Sequence, residues 1–431
     1  LKIIEGFKSA KAALSRQAKQ APDTDEREQT VRQIINEVRR RGDAALLDYT
    51  LKFDDVKLTS LEVGREQINA AYNEVDSELL SALKLAAGRI ESFHTTQRDS
   101  LLRESTGTDL GWLIRPLKRV GVHTPGFTAP LPSSLLMTAV PAKAAGVKEV
   151  ILVTPPRKDG TVHPAVLVAA DIAGVDRVFS VGGAQAIAAL AFGTETVPKV
   201  DKVCGPGNIY VTTAKKLVYG EVGIDGLFGP SEVVIIADET ANPEYCAADL
   251  LAQAEHDPLA SAILITTSHP LADRVNREVE QQLKQLSRRA IATESLENNG
   301  LIAVVASVDE AIELSNLYAP EHLCLVVDKA ASYVDKISNS GCLFIGENSV
   351  EVLVDYVAGP SHVLPTEGTA RFGSPLNVTD FVKLTSLVNM DRASLKALAR
   401  AAAIIARAEG LDAHARAVEK RLNKKDKYGK G

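Results

Sequence analysis

Residues 232–267 read EVVIIADETANPEYCAADLLAQAEHDPLASAILITT. The stretch opens with EVVIIAD and closes with SAILITT, two short β-rich runs of the length and apolar character of strands buried on both faces. Between them, CAADLLAQAEHDPLA is helix-compatible. A strand, a helix and a strand in that order predict a βαβ unit with parallel strands. The same alternation runs outward in both directions from about residue 119. KEVILVT, DRVFSV and VDKVC precede the stretch, GLIAVVA, HLCLVV and CLFIG follow it, and helical segments such as SSLLMTAVPAKAAG and HPAVLVAADIAG lie between. So many strands, so unevenly spaced, exceed one small sheet.

The predicted fold is therefore α/β, with two incomplete Rossmann-like parallel-sheet domains, helices on both faces, an N-terminal helical arm and a small C-terminal helical module. Residues 1–23 are expected to be the arm, which must dock on something to be ordered. Residues 24–122 together with 237–376 are assigned to one α/β domain and residues 123–236 to the other. Residues 377–431 form the helical module. In residues 24–49, Val31, Ile34, Ile35 and Val38 recur at helical spacing and Gly42 offers a stop. DSELLSALKLAAGRIESFH reads as a second helix. Near the C-terminus, ASLKALARAAAIIARAEGLDAHARAVEKRL is helical with a break at Gly410, after which Asp412 can cap the next helix.

Composition narrows the function classes. Hydrophobic residues make up 45% and charged residues 24% of the 431, an ordinary globular balance ample for sizeable cores. The net charge is −6 with both signs interspersed, which speaks against a nucleic-acid partner. No stretch approaches the ~18 consecutive apolar residues of a membrane span, and LKIIEGFKSAKAALSRQAK lacks a signal peptide's apolar core. Cys204, Cys246, Cys324 and Cys342 have no paired spacing, so a reducing cytoplasm is the expected setting.

Three segments can carry chemistry. VFSVGGAQAIAALAFG and VDKVCGPGNIYVTTAKKL each run strand, glycine turn, helix, an arrangement that brings backbone N–H groups to an anionic ligand. Neither meets a G-x-G-x-x-G or Walker pattern, and one such turn alone is more often mere turn chemistry. Two in adjacent units favour a nucleotide crevice at the carboxyl edge of a sheet. In QAEHD, Gln253 and His256 lie one turn apart and can grip one ion, though Glu255 or Asp257 is the commoner kind of zinc ligand. Remote partners for His256 are then needed, and Asp355, His362 and His414 are candidates. Finally, LYAPEHLCLVV (317–327) sets Glu321 and His322 at the turn leading into an apolar run, where both can line one cleft as an acid–base pair. A turn-capping Glu beside a satisfied core histidine is the plainer alternative.

Taken together, QAEH (253–256), GPSE (229–232), APEHL (319–323), the Asp355 to HVLPT spacing (355–366), GTARF (368–372), EGLDAHARAV (409–418) and GGAQAIAALAFGTETVPKVDKVCGPGN resemble the histidinol dehydrogenase family over essentially the whole chain. The resemblance implies a zinc-dependent, NAD-linked oxidation of L-histidinol through L-histidinaldehyde to L-histidine, the last step of histidine biosynthesis. It implies a homodimer with shared active sites and one Zn2+ per subunit. Matched motif by motif, the zinc ligands would be Gln253, His256, Asp355 and His414, and the catalytic pair Glu321 and His322. Substrate would meet the zinc ligands, His322, Ser231, His362 and Glu409. NAD would meet Gln185 and Asn208, with His123 standing where the family usually has Tyr. Two departures, His123–Phe127 in place of a Tyr and Pro-Gly-Gly pattern and Phe228-Gly229 in place of Ala-Gly, fall near the expected cofactor cleft. The rivals are a dehydrogenase on the same scaffold for another small alcohol, such as a sulfonated propanediol, and a zinc hydrolase.

Overall fold

The computed structural model describes residues 1–16, 24–104, 110–126 and 130–422. The chain opens with β1 (Lys2–Glu5) and α1 (Phe7–Ala13), followed by the helices α2 (Thr24–Arg41), α3 (Asp43–Asp54), α4 (Arg65–Ala71) and α5 (Ser77–Glu104). After β2 (Leu110–Pro116) comes a first alternation: β3 (Arg119–His123), α6 (Pro132–Ala144), β4 (Glu149–Thr154), α7 (Pro164–Ile172), β5 (Arg177–Ser180), α8 (Gly183–Phe192), β6 (Lys202–Cys204), α9 (Ile209–Val218) and β7 (Gly223–Ile224). A second follows: β8 (Glu232–Ala237), α10 (Pro243–Ala254), β9 (Ser261–Thr266), α11 (His269–Leu283), α12 (Arg289–Asn299), β10 (Leu301–Val304), α13 (Val308–Tyr318), β11 (His322–Val326), β12 (Cys342–Ile345) and α14 (Glu351–Tyr356). The last elements are β13 (Val382–Val388), α15 (Arg392–Ala408) and α16 (Asp412–Leu422).

Residues 1–98 with 116–381 form one compact unit, and residues 99–115 with 382–431 form another. The first holds two parallel sheets. One has the order β5-β4-β3-β6-β7, the other β1-β10-β9-β8-β11-β12. Apart from β1, both are wound alike: the first strand is central, two strands are added on one side, then the chain crosses to the other. Each sheet thus has a switch point, between β3 and β6 in one and between β8 and β11 in the other.

Every expected strand between 148 and 346 is present, and the inner ones, such as β4, β8, β9 and β11, are buried along nearly their whole length. The predicted arm differs. Its first residues form β1, which extends the six-stranded sheet beside β10, and Ala10 and Leu14 then bury into that sheet's core. Helix α2 also corrects the expected grouping of 24–122 with 237–376. Its stripe Val31, Ile34, Ile35 and Val38 is buried with Ile151, Val153, Ile187 and Leu190 of the five-stranded layer, the sheet to which β3 also belongs.

In the second unit, β13 pairs with β2, and α15 and α16 pack as a helical hairpin around Ala403, Ala406 and Ala415. Gly410 makes the bend at φ +76°, a conformation that costs glycine nothing.

Candidate functional site

The acid–base candidates sit where α13 gives way to β11. Ser307 caps the start of α13 by accepting the Glu310 N–H, and the helix ends at Ala319, which turns left-handed at φ +55°. Pro320 bars its continuation. Glu321 and His322 follow, both buried, at the amino end of a strand lying between β8 and β12.

The backbone of one residue on the adjacent strand, Glu232, holds both. The Glu232 N–H donates to Glu321 Oε2 at 2.9 Å, and the Glu232 carbonyl accepts from His322 Nδ1 at 3.1 Å. A carbonyl only accepts, so Nδ1 carries the proton and Nε2 holds a lone pair. That Nε2 is buried without a hydrogen-bond partner, 3.9 Å from Asp355 Oδ1. Gln253, in the last turn of α10, shares the Glu232 N–H with Glu321. Its carboxamide oxygen accepts the Glu232 N–H at 2.9 Å and its nitrogen donates to Glu351 Oε1 at 2.6 Å, the only orientation that avoids facing acceptor with acceptor. Glu351 Oε1 lies 3.4 Å from His322 Nδ1, and the other Glu351 oxygen is buried without a partner. His362 Nδ1 donates to the Asp355 carbonyl at 2.8 Å.

Burial sets the protonation of this cluster. It pushes the Glu321 carboxyl well above the usual carboxylate range, and the charges of Glu232 and Asp355 push the same way against the Glu232 N–H. Burial also lowers His322 to about 3, with the imidazoles of His256 and His362 adding to it. Glu351 is raised by burial and then by Asp355, while burial lifts Asp355 to about 6. The result is a neutral imidazole with one open nitrogen beside a carboxyl of unusual basicity. By geometry the open Nε2 is a proton acceptor and the carboxyl beside it a second proton site, the two parts an acid–base pair needs.

Gln253, Asp355, Glu321 and His322 are therefore brought together, with His256 and His362 close enough to act on His322 electrostatically. Ser231 adjoins the cluster in the chain, immediately before Glu232. His256 lies just past the end of α10 and is exposed. Glu409 and His414 belong to the second unit, at the end of α15 and within α16, and both are exposed. Among the described residues no three His, Cys, Asp or Glu side chains stand in an arrangement that could hold a metal ion. All four cysteines are free.

The expected dinucleotide contacts line the five-stranded sheet. Asn208 caps α9, its side-chain oxygen accepting the Tyr210 and Val211 N–H groups at 3.0 and 3.2 Å, which leaves its amide nitrogen available. Gln185 is buried in the first turn of α8, packed on Gly183. His123 ends β3 at the switch point. Its Nδ1 donates to the Pro206 carbonyl at 2.8 Å, its buried Nε2 has no partner, and burial lowers it to about 4. Phe127 lies outside the described residues; Phe228 stacks its ring under Lys215.

Beneath this turn lies an ion pair absent from the sequence reading. Lys215 and Asp225 are fully buried at 2.5 Å, and between them they hold both backbone groups of Gly205. Asp225 accepts its N–H at 2.7 Å and Lys215 donates to its carbonyl at 3.1 Å. Gly205 has φ +104°, and a Cβ there would lie 2.2 Å from the His123 carbonyl oxygen. Glu232 and Glu351 were also missed. A signal existed for Glu351, which precedes Asp355 by four residues and so shares its helix face.

Known proteins resemble the chain over nearly its full length. Residues 17–422 match the family model for histidinol dehydrogenase. The chain is 55% identical to the histidinol dehydrogenase of Dehalococcoides mccartyi (strain CBDB1), with 98% of this chain and 100% of the relative covered. It is 50% identical to that of Clostridium acetobutylicum, with 97% of each covered. The crystal structure of histidinol dehydrogenase from Elizabethkingia anophelis superposes with a TM-score of 0.93 at 38% identity, covering 98% of both chains.

Proposed function

The chain belongs to the histidinol dehydrogenase family, and from that premise we propose that His322 and Glu321 are the acid–base centre of its reaction. The enzyme is an NAD-dependent dehydrogenase that oxidises histidinol in histidine biosynthesis. That assignment sets aside both a sulfonated propanediol and a hydrolytic reaction.

L-Histidinol becomes L-histidine by losing four electrons, which takes two hydride transfers with a hydration between them. When bound, two successive NAD+ molecules supply the hydride acceptors and a zinc ion supplies a cationic anchor for the imidazole nitrogen and amine of the substrate. The protein's own share is proton movement and placement. In the first oxidation, His322 Nε2 takes the alcohol proton as the carbonyl forms. Glu321 then removes a proton from water as its oxygen adds to the aldehyde carbon, while His322 returns its proton to the aldehyde oxygen, which completes the hydrate and frees Nε2 again. In the second oxidation His322 Nε2 takes the hydroxyl proton of the hydrate, leaving the carboxylic acid. The observation carrying this reading is the Glu232 carbonyl, which accepts from Nδ1 of His322, keeps the proton on that nitrogen and leaves Nε2 open and dry.

The donor set suits zinc in kind: Gln253, His256, Asp355 and His414 offer an amide oxygen, two imidazoles and a carboxylate, leaving a net positive ion. We assign His362, Ser231 and Glu409 to substrate, where an acidic side chain and hydrogen-bonding groups match an amino alcohol. For NAD, the orphaned His123 Nε2, the buried Thr124 hydroxyl without a partner, and the glycine turns at 183 and 205 offer polar groups and close backbone approach beside Gln185 and Asn208.

We also propose a homodimer in which Glu409 and His414 of the partner subunit complete each site. Both are exposed, and the hairpin carrying them also exposes Leu398, Ile404, Ile405 and Leu411, an apolar surface suited to a second subunit. A cytoplasmic setting suits the four free thiols.

The test counts NADH formed per L-histidinol, with and without a chelator. Two NADH per substrate, lost on chelation and regained with zinc, supports the reading. One NADH per substrate, or turnover indifferent to chelation, sinks it.

A further inference from the structure

We infer that Arg16 is a positioning residue for the acid–base pair, acting through Glu232. The inference rests on the assignment of Glu321 and His322 above. The N–H and the carbonyl of Glu232 hold one residue each, so whatever fixes Glu232 bears on the pair. Its side chain is buried, and a buried carboxylate requires a partner. Arg16 supplies it as a two-pronged fork, Nη1 to Oε1 and Nη2 to Oε2, each at 2.6 Å. The planar guanidinium matches the carboxylate in shape and restricts rotation as a lysine cannot.

Arg16 holds a second point of the same site. Its Nε donates to the Tyr318 carbonyl at 2.8 Å, and its guanidinium carbon lies 3.8 Å from the centroid of the Tyr318 ring. Tyr318 ends α13, three residues before Glu321. One side chain therefore ties the start of β8 to the segment that delivers Glu321 and His322 into β11. The residue is itself held in place from the N-terminal side. β1 pairs with β10 in register, and Ala10 and Leu14 are buried in one cluster with Tyr318, Leu323 and Leu325. Arg16 lies two residues beyond that anchor. Its role is placement, since the atoms it touches belong to Glu232 and Tyr318 and not to the reacting groups.

The experiment compares full-length Arg16→Met, Arg16→Lys, Glu232→Gln and the double variant Arg16→Met/Glu232→Gln, with His322→Asn alongside. kcat and KM are measured for histidinol and for histidinaldehyde, together with thermal midpoints. Arg16→Met is expected to lower kcat on both substrates by on the order of 100-fold, the scale of a misplaced catalytic group. KM for substrate and for NAD should stay near wild type. Arg16→Lys, keeping the charge without the fork, should fall between. The double variant should recover part of the loss, because no unpaired carboxylate is left. A folded Arg16→Met with wild-type kcat and only a lower thermal midpoint would show a mere anchor and overturn the inference, as would a change confined to KM. If Arg16→Met does not fold, a wild-type kcat in Arg16→Lys and Glu232→Gln together overturns it equally. An active His322→Asn would instead strike down the acid–base assignment itself.

Discussion

His322 Nδ1 donates to the carbonyl of Glu232, a residue ninety positions earlier in the chain, at 3.1 Å. This bond fixes the tautomer and the ring plane together. It places the basic lone pair on Nε2, which lies 3.9 Å from the Asp355 carboxylate and meets no donor. The N–H of the same residue holds Glu321, so the two share one reference point.

Replacing His322 with Asn removes that lone pair and should slow both oxidations by about 100- to 10,000-fold, the usual range for a lost general base. Glu321→Gln keeps an acceptor for the Glu232 N–H but cannot take a proton from water. It should spare alcohol oxidation and slow aldehyde oxidation. Single-turnover NADH formation from each substrate separates the two, and equal losses in Glu321→Gln would refute the division.

The Lys215–Asp225 pair predicts an asymmetry. Lys215→Met strands a carboxylate in the core and should cost about 3–5 kcal/mol, whereas removing both charges together should cost less. Denaturant unfolding of the single and double variants measures it. A double variant as unstable as the single one would mean that the pair's worth lies in its bonds to Gly205.

Gly205→Ala tests the cofactor turn. The added methyl meets the His123 carbonyl oxygen, at a φ that side chains avoid. The turn must move, so NAD affinity measured by calorimetry should fall while histidinol affinity holds. Equal affinities for NAD would detach this turn from the cofactor.

A pH dependence follows from Asp54, whose carboxyl burial lifts to about 6 against the opposing pull of Lys158. A carboxyl with a raised folded-state value binds its proton more tightly when folded. Its burial therefore costs nothing below about pH 4, increasingly more up to pH 6, and the full amount above, at most about 3 kcal/mol. Asp54→Asn should raise the thermal midpoint at pH 8, with the gain vanishing toward pH 4. A loss at pH 8 would mean that the ionised form stabilises the fold.

The sequence showed the fold where periodicity was strong and hid it where elements were short or interrupted. Runs such as EVVIIA and HLCLV could only be buried strands, and the Val31 to Val38 stripe only a helix. By contrast β3 reads RVGVH, broken by a glycine that exists because Leu190 of α8 packs against it. The sheet that α2 covers was equally hidden, since a stripe tells which face is apolar and not what it meets. In the site, adjacency exposed Glu321 and His322. The part played by Glu232 could not be read, since it works through an N–H and a carbonyl that every residue but proline has. Arg16 and Glu232 are 216 positions apart, a separation only the folded sheet closes.

The two sheets share one winding but are used from opposite ends. The dinucleotide candidates follow the strands of the five-stranded sheet, whereas Glu232, Glu321 and His322 stand at the starting ends of β8 and β11. Ladder register therefore sets the separation of the proton-transfer groups, and the connections leaving the far ends of β8 and β9, around residues 238–242 and 267–268, lie a strand's length from them.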